Sequence, residues 1–220
     1  MKKFLNIRNI IIILILVISI GYMIFMKSQN TNNSKTSDLF YELINKDNIT
    51  MELSFNESDK KGSIIYSSDI KNNKTIQITE LFSDDDISKQ NNISHIKNIV
   101  IRKDGKIQTY QINYDLKTYY NLGNVEDHNS ITDWIENFNE ITSESKYYTK
   151  KYEIVNDKNY YIESFPEKEY TFYFDSNELK YIKQKGGITG NDATMYEVKL
   201  EEKLIDDSLL EISKDFTLNK

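Results

Sequence analysis

Few side chains in this chain could act chemically, and their spacing argues against catalysis. The two histidines, His95 and His128, are not at metal-ligand spacing, and neither sits in a carboxylate-rich helical pattern. Both read as surface-loop residues. There is no cysteine, so disulfides, thiolate metal sites and a cysteine nucleophile are excluded. Asp84-Asp85-Asp86 lacks the glycine turn and distal glutamate of a calcium loop, and reads as a solvated loop. No nucleophile elbow, phosphate loop, H-E-x-x-H zinc motif or EF-hand occurs. Carboxylates are plentiful, but nothing singles out an acid/base pair. The expectation is a protein without catalytic residues, cofactor or metal.

Tyrosine is the more informative type. The chain has 16 tyrosines and 10 phenylalanines. Tyr119-Tyr120 and Tyr160-Tyr161 are adjacent pairs, and Tyr170 and Tyr173 lie in an aromatic run. Neighbours on a strand point to opposite faces, so each pair offers one ring to either side of a sheet. Exposed tyrosines give large contact area at low entropic cost. Tyr119, Tyr120, Tyr160, Tyr161, Tyr170 and Tyr173 are therefore the candidate partner or ligand surface. Ordinary sheet packing with the hydroxyls in water is the competing reading.

The elements that would position them begin with an apolar run, Ile10 to Met26, without a charge. Lys2, Lys3 and Arg8 precede it, which predicts a transmembrane helix with a cytoplasmic N-terminus and an extracytoplasmic C-terminal domain. Cleavage near Ser19-Ile20-Gly21 is the alternative, but Tyr22 to Met26 would leave an apolar end. The expected organisation is an anchor over 1–26, a flexible linker over 27–36 and a β-rich domain over 37–220. The first 36 residues hold five of the 28 basic residues and no acidic one. That leaves 23 basic against 34 acidic, a net charge of −11 for the domain. Nucleic acid is excluded as a partner by repulsion.

Within the domain, Ser37 can cap a short helix carrying Leu39, Phe40, Leu43 and Ile44 on one face. Ile49, Met51, Leu53 and Phe55 then alternate as in a half-buried strand. Further strands are expected over 63–70, 75–82, 96–102, 107–114 and 118–122, with Asp104-Gly105 as a hairpin turn. A second helix carries Ile131, Trp134, Ile135, Phe138 and Ile141, capped by Ser130. Strands resume over 147–155, 159–165, 170–174, 179–185 and 194–202. The order predicts an α+β fold, one long curved antiparallel sheet with two helices on its concave face. A β-sandwich is the alternative, though it does not need the second helix.

Several segments resemble the LolA-like lipoprotein-carrier superfamily. Phe174 to Lys183 resembles its strand–turn–strand. Tyr196 to Leu200, followed by Ile205-Asp206-Asp207-Ser208-Leu209-Leu210-Glu211-Ile212, resembles its last strand and ending. Ile101 to Tyr110 with Leu116 to Tyr120 resembles its middle hairpin. The resemblance implies a curved antiparallel half-barrel over helices, with an apolar groove and no catalysis. Members carry lipids or lipoproteins, or, like RseB, sense envelope stress through protein partners. The germination lipoprotein GerS, which activates a spore-cortex amidase, looks like another member. Tyr22 stands where such a lipoprotein would carry its lipidated cysteine. The expected function is a membrane-anchored envelope protein that binds and regulates a protein partner such as an amidase. A lipid or lipoprotein carrier is the alternative.

Overall fold

The computed structural model describes residues 34–126, 133–144, 149–186 and 193–219. Helix α1 (Lys35–Ile44) leads into strands β1 (Asn48–Asn56), β2 (Lys60–Asp69) and β3 (Lys74–Ser83). A short helix, α2 (Asp86–Gln90), precedes β4 (His95–Lys103), β5 (Lys106–Asn113) and β6 (Thr118–Glu126). Helix α3 (Asp133–Glu144) is followed by β7 (Thr149–Val155), β8 (Lys158–Phe165), β9 (Tyr170–Asp175), β10 (Glu178–Lys185) and β11 (Ala193–Glu201). A last strand of two residues, β12 (Thr217–Leu218), ends the sequence of elements.

All twelve strands belong to one open sheet, in the order β12-β6-β5-β4-β3-β2-β1-β11-β10-β9-β8-β7. It is two meanders, β1 to β6 and β7 to β11, joined where β11 returns antiparallel beside β1. Tight turns set the registers. Asp104 (φ 51°) and Gly105 (φ 72°) separate the pair Lys103 and Lys106, and Asn156 (φ 49°) and Asp157 (φ 62°) separate Val155 and Lys158. Two positive φ values in a two-residue loop make a type I′ turn, which matches the strand twist. At Gly62 an added Cβ would meet the Glu80 carbonyl oxygen at 2.2 Å, and the Phe55 ring already lies over the site. Any side chain there would force β2 from β3.

The sheet buries its two faces in different places. On one face α1 and α3 cover Ile49, Met51, Leu53, Phe165, Phe172 and Tyr196. Phe40 of α1 stacks on Phe138 of α3 at 5.0 Å, and both meet Phe172 edge-on. Burying a ring such as Phe40 fully contributes about 2–3 kcal/mol. On the other face Ile76, Ile78, Ile99 and Ile112 form a second cluster. Adjacent Ile64 and Ile65 of β2 join different clusters, as strand alternation requires. The segment after β11 straps across this second cluster with Ile205, Leu210, Ile212 and Phe216. Thr50 Oγ1 donates to the Lys203 carbonyl at 2.7 Å, and buried Lys97 donates to that of Leu209 at 2.8 Å. Thr217 and Leu218 then pair in parallel with Thr118 and Tyr119 of β6.

Helix α1 starts on a carboxylate from a distant strand. Glu163 of β8 is fully buried. One of its oxygens accepts from the backbone N–H of Lys35 (2.8 Å) and from the Tyr161 hydroxyl (2.9 Å). The other accepts from the N–H (3.0 Å) and hydroxyl (2.8 Å) of Thr36. These first N–H groups have no partner within the helix, and a negative charge there opposes the helix dipole. A cap from outside the helix thus replaces the Ser37 cap that local sequence predicts.

The expected fold class requires correction. The described residues form one open twelve-stranded sheet, where the expectation is a transmembrane helix followed by a half-barrel. Its order ends at β12 and β7, so the sheet does not close. Among the described residues no helix is long and apolar enough to cross a membrane, which removes the structural ground for a single-pass location. The run Ile10–Met26, residues 27–33 of the expected linker, Ser130, Ile131 and His128 lie outside the described residues, as does the Trp134 side chain, whereas Lys35 and Thr36, expected in the linker, open α1. A twelfth strand and α2 add to the expected elements. The strand has only two residues, and α2 arises because Asp85 accepts from Ser88 N at 2.8 Å as an N-cap.

The buried cap predicts a measurable cost. Glu163→Ala should lower the unfolding free energy by about 3 kcal/mol, since it orphans several donors. Glu163→Gln should be intermediate, because its amide nitrogen must face donors. Urea denaturation followed by circular dichroism measures both.

Candidate functional site

The six tyrosines do not form one surface. Tyr119 and Tyr120 lie on β6, near one edge of the sheet, and the other four lie on β8 and β9, near the opposite edge. Tyr160 and Tyr173 are buried, with Tyr160 edge-on to Tyr181 at 5.4 Å. Tyr161 is committed to Glu163, and the Lys35 ammonium sits 5.0 Å over its ring. Tyr170 packs edge-on against Phe138 at 5.6 Å. Tyr119 packs into the cluster beneath the strap. Tyr120 lies on the opposite face, where its hydroxyl accepts from Asn219 Nδ2 at 2.9 Å. Most of these rings are structural because β8 and β9 are covered on both faces.

Tyr120 belongs to a row that crosses the sheet. Ile64, Thr79, Asn98, Gln111 and Tyr120 are successive register partners on the helix-bearing face. The next row runs Tyr66, Gln77, Val100 and Thr109. Ile96 and Ile107 lie on the same face by alternation. Among the described residues, the cluster under the helices reaches Leu81 of β3 and includes nothing from β4 to β6. Apart from Ile64, which is buried, these side chains are half-buried or exposed. They form a broad sheet face of mixed polar and apolar character beside the helices, suited to contact rather than chemistry.

His95 is placed differently from its expected loop. It opens β4, is half-buried, and stacks between Phe82 (4.0 Å) and Tyr114 (3.9 Å). Its Nε2 lies 2.7 Å from Glu80 Oε1. Glu80 and His95 come together because β3 and β4 pair antiparallel, a relation that local sequence does not display. A cleft of 330 Å³ opens beside this pair, with Asp59, Lys60, Lys61, Asp84 and Lys89 on its walls. Both signs of charge line it, so it selects no ion by net charge. A carboxylate–imidazole pair can orient a base, but among the described residues no hydroxyl is hydrogen-bonded to the ring to serve as nucleophile. Among those residues no group of three or more acidic or histidine side chains is placed to hold a metal.

No family model matches the chain, and no curated protein matches it. Among solved structures, the chain is similar to an uncharacterized conserved protein from Thermus thermophilus. The identity is 7%, the likeness covers 83% of this chain and 96% of that one, and the TM-score is 0.40. At that level the likeness carries no functional argument. The class defined by the fold itself is an open twelve-stranded sheet with helices over one half and a C-terminal strap over the other.

Burial of phenols gives the protein an alkaline limit. Burial pushes the Tyr66 hydroxyl up to about 12, with the neighbouring Tyr170 and Tyr196 adding to the rise. Burial, reinforced by Glu153, pushes Tyr173 to about 12 as well. A raised folded-state value favours the protonated form. The stability it contributes is complete below the unfolded value near 10 and is lost as pH rises through about 12. Unfolding free energy measured in urea should therefore fall between these limits, and Tyr66→Phe with Tyr173→Phe should flatten that fall. At the acid end, the Ser83 hydroxyl and then Ser88 hold Asp85 down at about 2, so its cap persists until pH falls towards that value.

Proposed function

We propose that this chain is a non-enzymatic binding protein that docks and regulates a protein partner on the helix-bearing face of β4 to β6. One observation carries the reading. Ile96, Val100, Ile107 and Tyr120, interspersed with Thr79, Asn98, Thr109 and Gln111, stand on a rigid sheet beyond the helix-covered core. Interfaces of transient partners have this mixture of apolar anchors and hydrogen-bonding groups. The net charge of −11 in residues 37–220 favours a partner with a basic docking surface.

The likeness to the LolA-like superfamily supports binding without catalysis. At its most specific it points to a spore-cortex amidase, activated by complex formation. The lipid-carrier alternative has less support, because the rings of Phe40, Phe138 and Phe172 occupy the space between helices and sheet.

The test is a titration of a purified spore-cortex amidase with the full chain, read by calorimetry and by amidase activity. Binding should raise activity. Val100→Asp and Ile107→Asp, whose side chains are half-buried at most, should each weaken binding about tenfold or more. Circular dichroism confirms that each variant folds. Unchanged affinity in both variants would remove the proposed face, and an amidase that neither binds nor responds would remove the partner class.

A further inference from the structure

Strand β7 is the outermost strand of the second meander. Among the described residues no strand pairs with its outer side. The two-residue turn Asn156-Asp157 fixes which backbone groups face outward. In such a hairpin the flanking residues, Val155 and Lys158, exchange both hydrogen bonds. Counting back by twos, Glu153, Lys151 and Thr149 direct their backbone groups to β8. Lys150, Tyr152 and Ile154 direct theirs away from the sheet. Tyr152 and Ile154 are also 70% and 71% exposed, so an apolar strip accompanies the open donors and acceptors. An edge of this kind is a template for another strand.

We infer that the strand it accepts is β7 of a second copy, antiparallel across a twofold axis at Tyr152. This register sets Lys151 of each copy opposite Glu153 of the other. The two residues lie on one face, 3.7 Å apart at their charged ends within one chain and partly exposed. Directly opposed side chains in a non-hydrogen-bonded pair have Cβ atoms about 4.5–5.5 Å apart, within ion-pair reach. Tyr152 pairs with Tyr152 of the second copy and exchanges both backbone hydrogen bonds with it. Moving the axis one residue either way opposes Lys151 to itself or Glu153 to itself. Of these three registers, only the one centred on Tyr152 is self-complementary in charge. The opposite edge is treated differently, since β12 already lies along β6. The Tyr152 ring rests at 5.9 Å against Tyr161, which Glu163 holds in place, so the edge is presented in a fixed form.

The twofold makes a charge-exchange test possible with the full chain. Light scattering after size exclusion should show a dimer for the unaltered protein. Lys151→Glu alone and Glu153→Lys alone each place like charges opposite twice, and should raise the dimer dissociation constant about tenfold or more. The double variant K151E/E153K should restore it. Mixing the two single variants should produce a dimer containing one of each, because their edges are then complementary. Amide exchange at Tyr152 and Ile154 should be slow in the unaltered protein and fast in either single variant. A monomer at all concentrations, or a dimer indifferent to both single changes, would overturn the inference.

Discussion

The pairing of β1 with β11 holds this architecture together. Every other antiparallel pairing joins strands consecutive in sequence, closed by turns or short connections. Among the antiparallel pairs of the described residues, only β1 and β11 bring together distant segments, with Thr50 beside Glu201 and Ser54 beside Glu197. Helix α1 directly precedes β1, so this junction carries it over the second meander, within reach of Glu163. The strap directly follows β11, so the same junction launches it across the first meander. Two hairpin arrays that could each form locally become one sheet, with an apolar cover on each half supplied by a neighbouring segment.

That division explains what could be read from the sequence. The alternation of Ile49, Met51, Leu53 and Phe55 was legible because one face of β1 is buried beneath helices while the other carries polar partners such as Thr50. Asp104-Gly105 was legible because a type I′ turn demands residues tolerant of positive φ. Features built from long-range pairing were not. Glu163 sits in an alternating aromatic strand, where a carboxylate reads as solvent-facing, yet it is fully buried and caps a helix 127 residues away. His95 reads as a loop residue until β3 brings Glu80 and Phe82 beside it. The tyrosine pairs were correctly split between faces, but local sequence cannot show that β8 is covered on both. Ile162 and Tyr160 pack with Tyr173 on one side, and Phe165 and Tyr161 join the helix-covered core on the other.

The two halves of the sheet therefore differ in what they offer. Around β8 and β9, aromatic rings fill both faces and make the scaffold stiff. Around β4 to β6, the strap fills one face and leaves the other with a mixed population of side chains. The aromatic surplus is mainly a packing device, and the proposed contact surface uses less conspicuous residues such as Val100, Ile107 and Thr109.

The strap also sets an order of events during synthesis. The first meander can pair as soon as it leaves the ribosome, because its turns are short. Its apolar face, with Ile76, Ile78, Ile99 and Ile112, stays uncovered until the segment from Ile205 to Phe216 has emerged. Thr217 and Leu218 then fasten that segment by pairing with β6. The nascent chain thus carries an uncovered apolar sheet face while residues 127–204 are made, and the strap is then drawn across it like a closing latch.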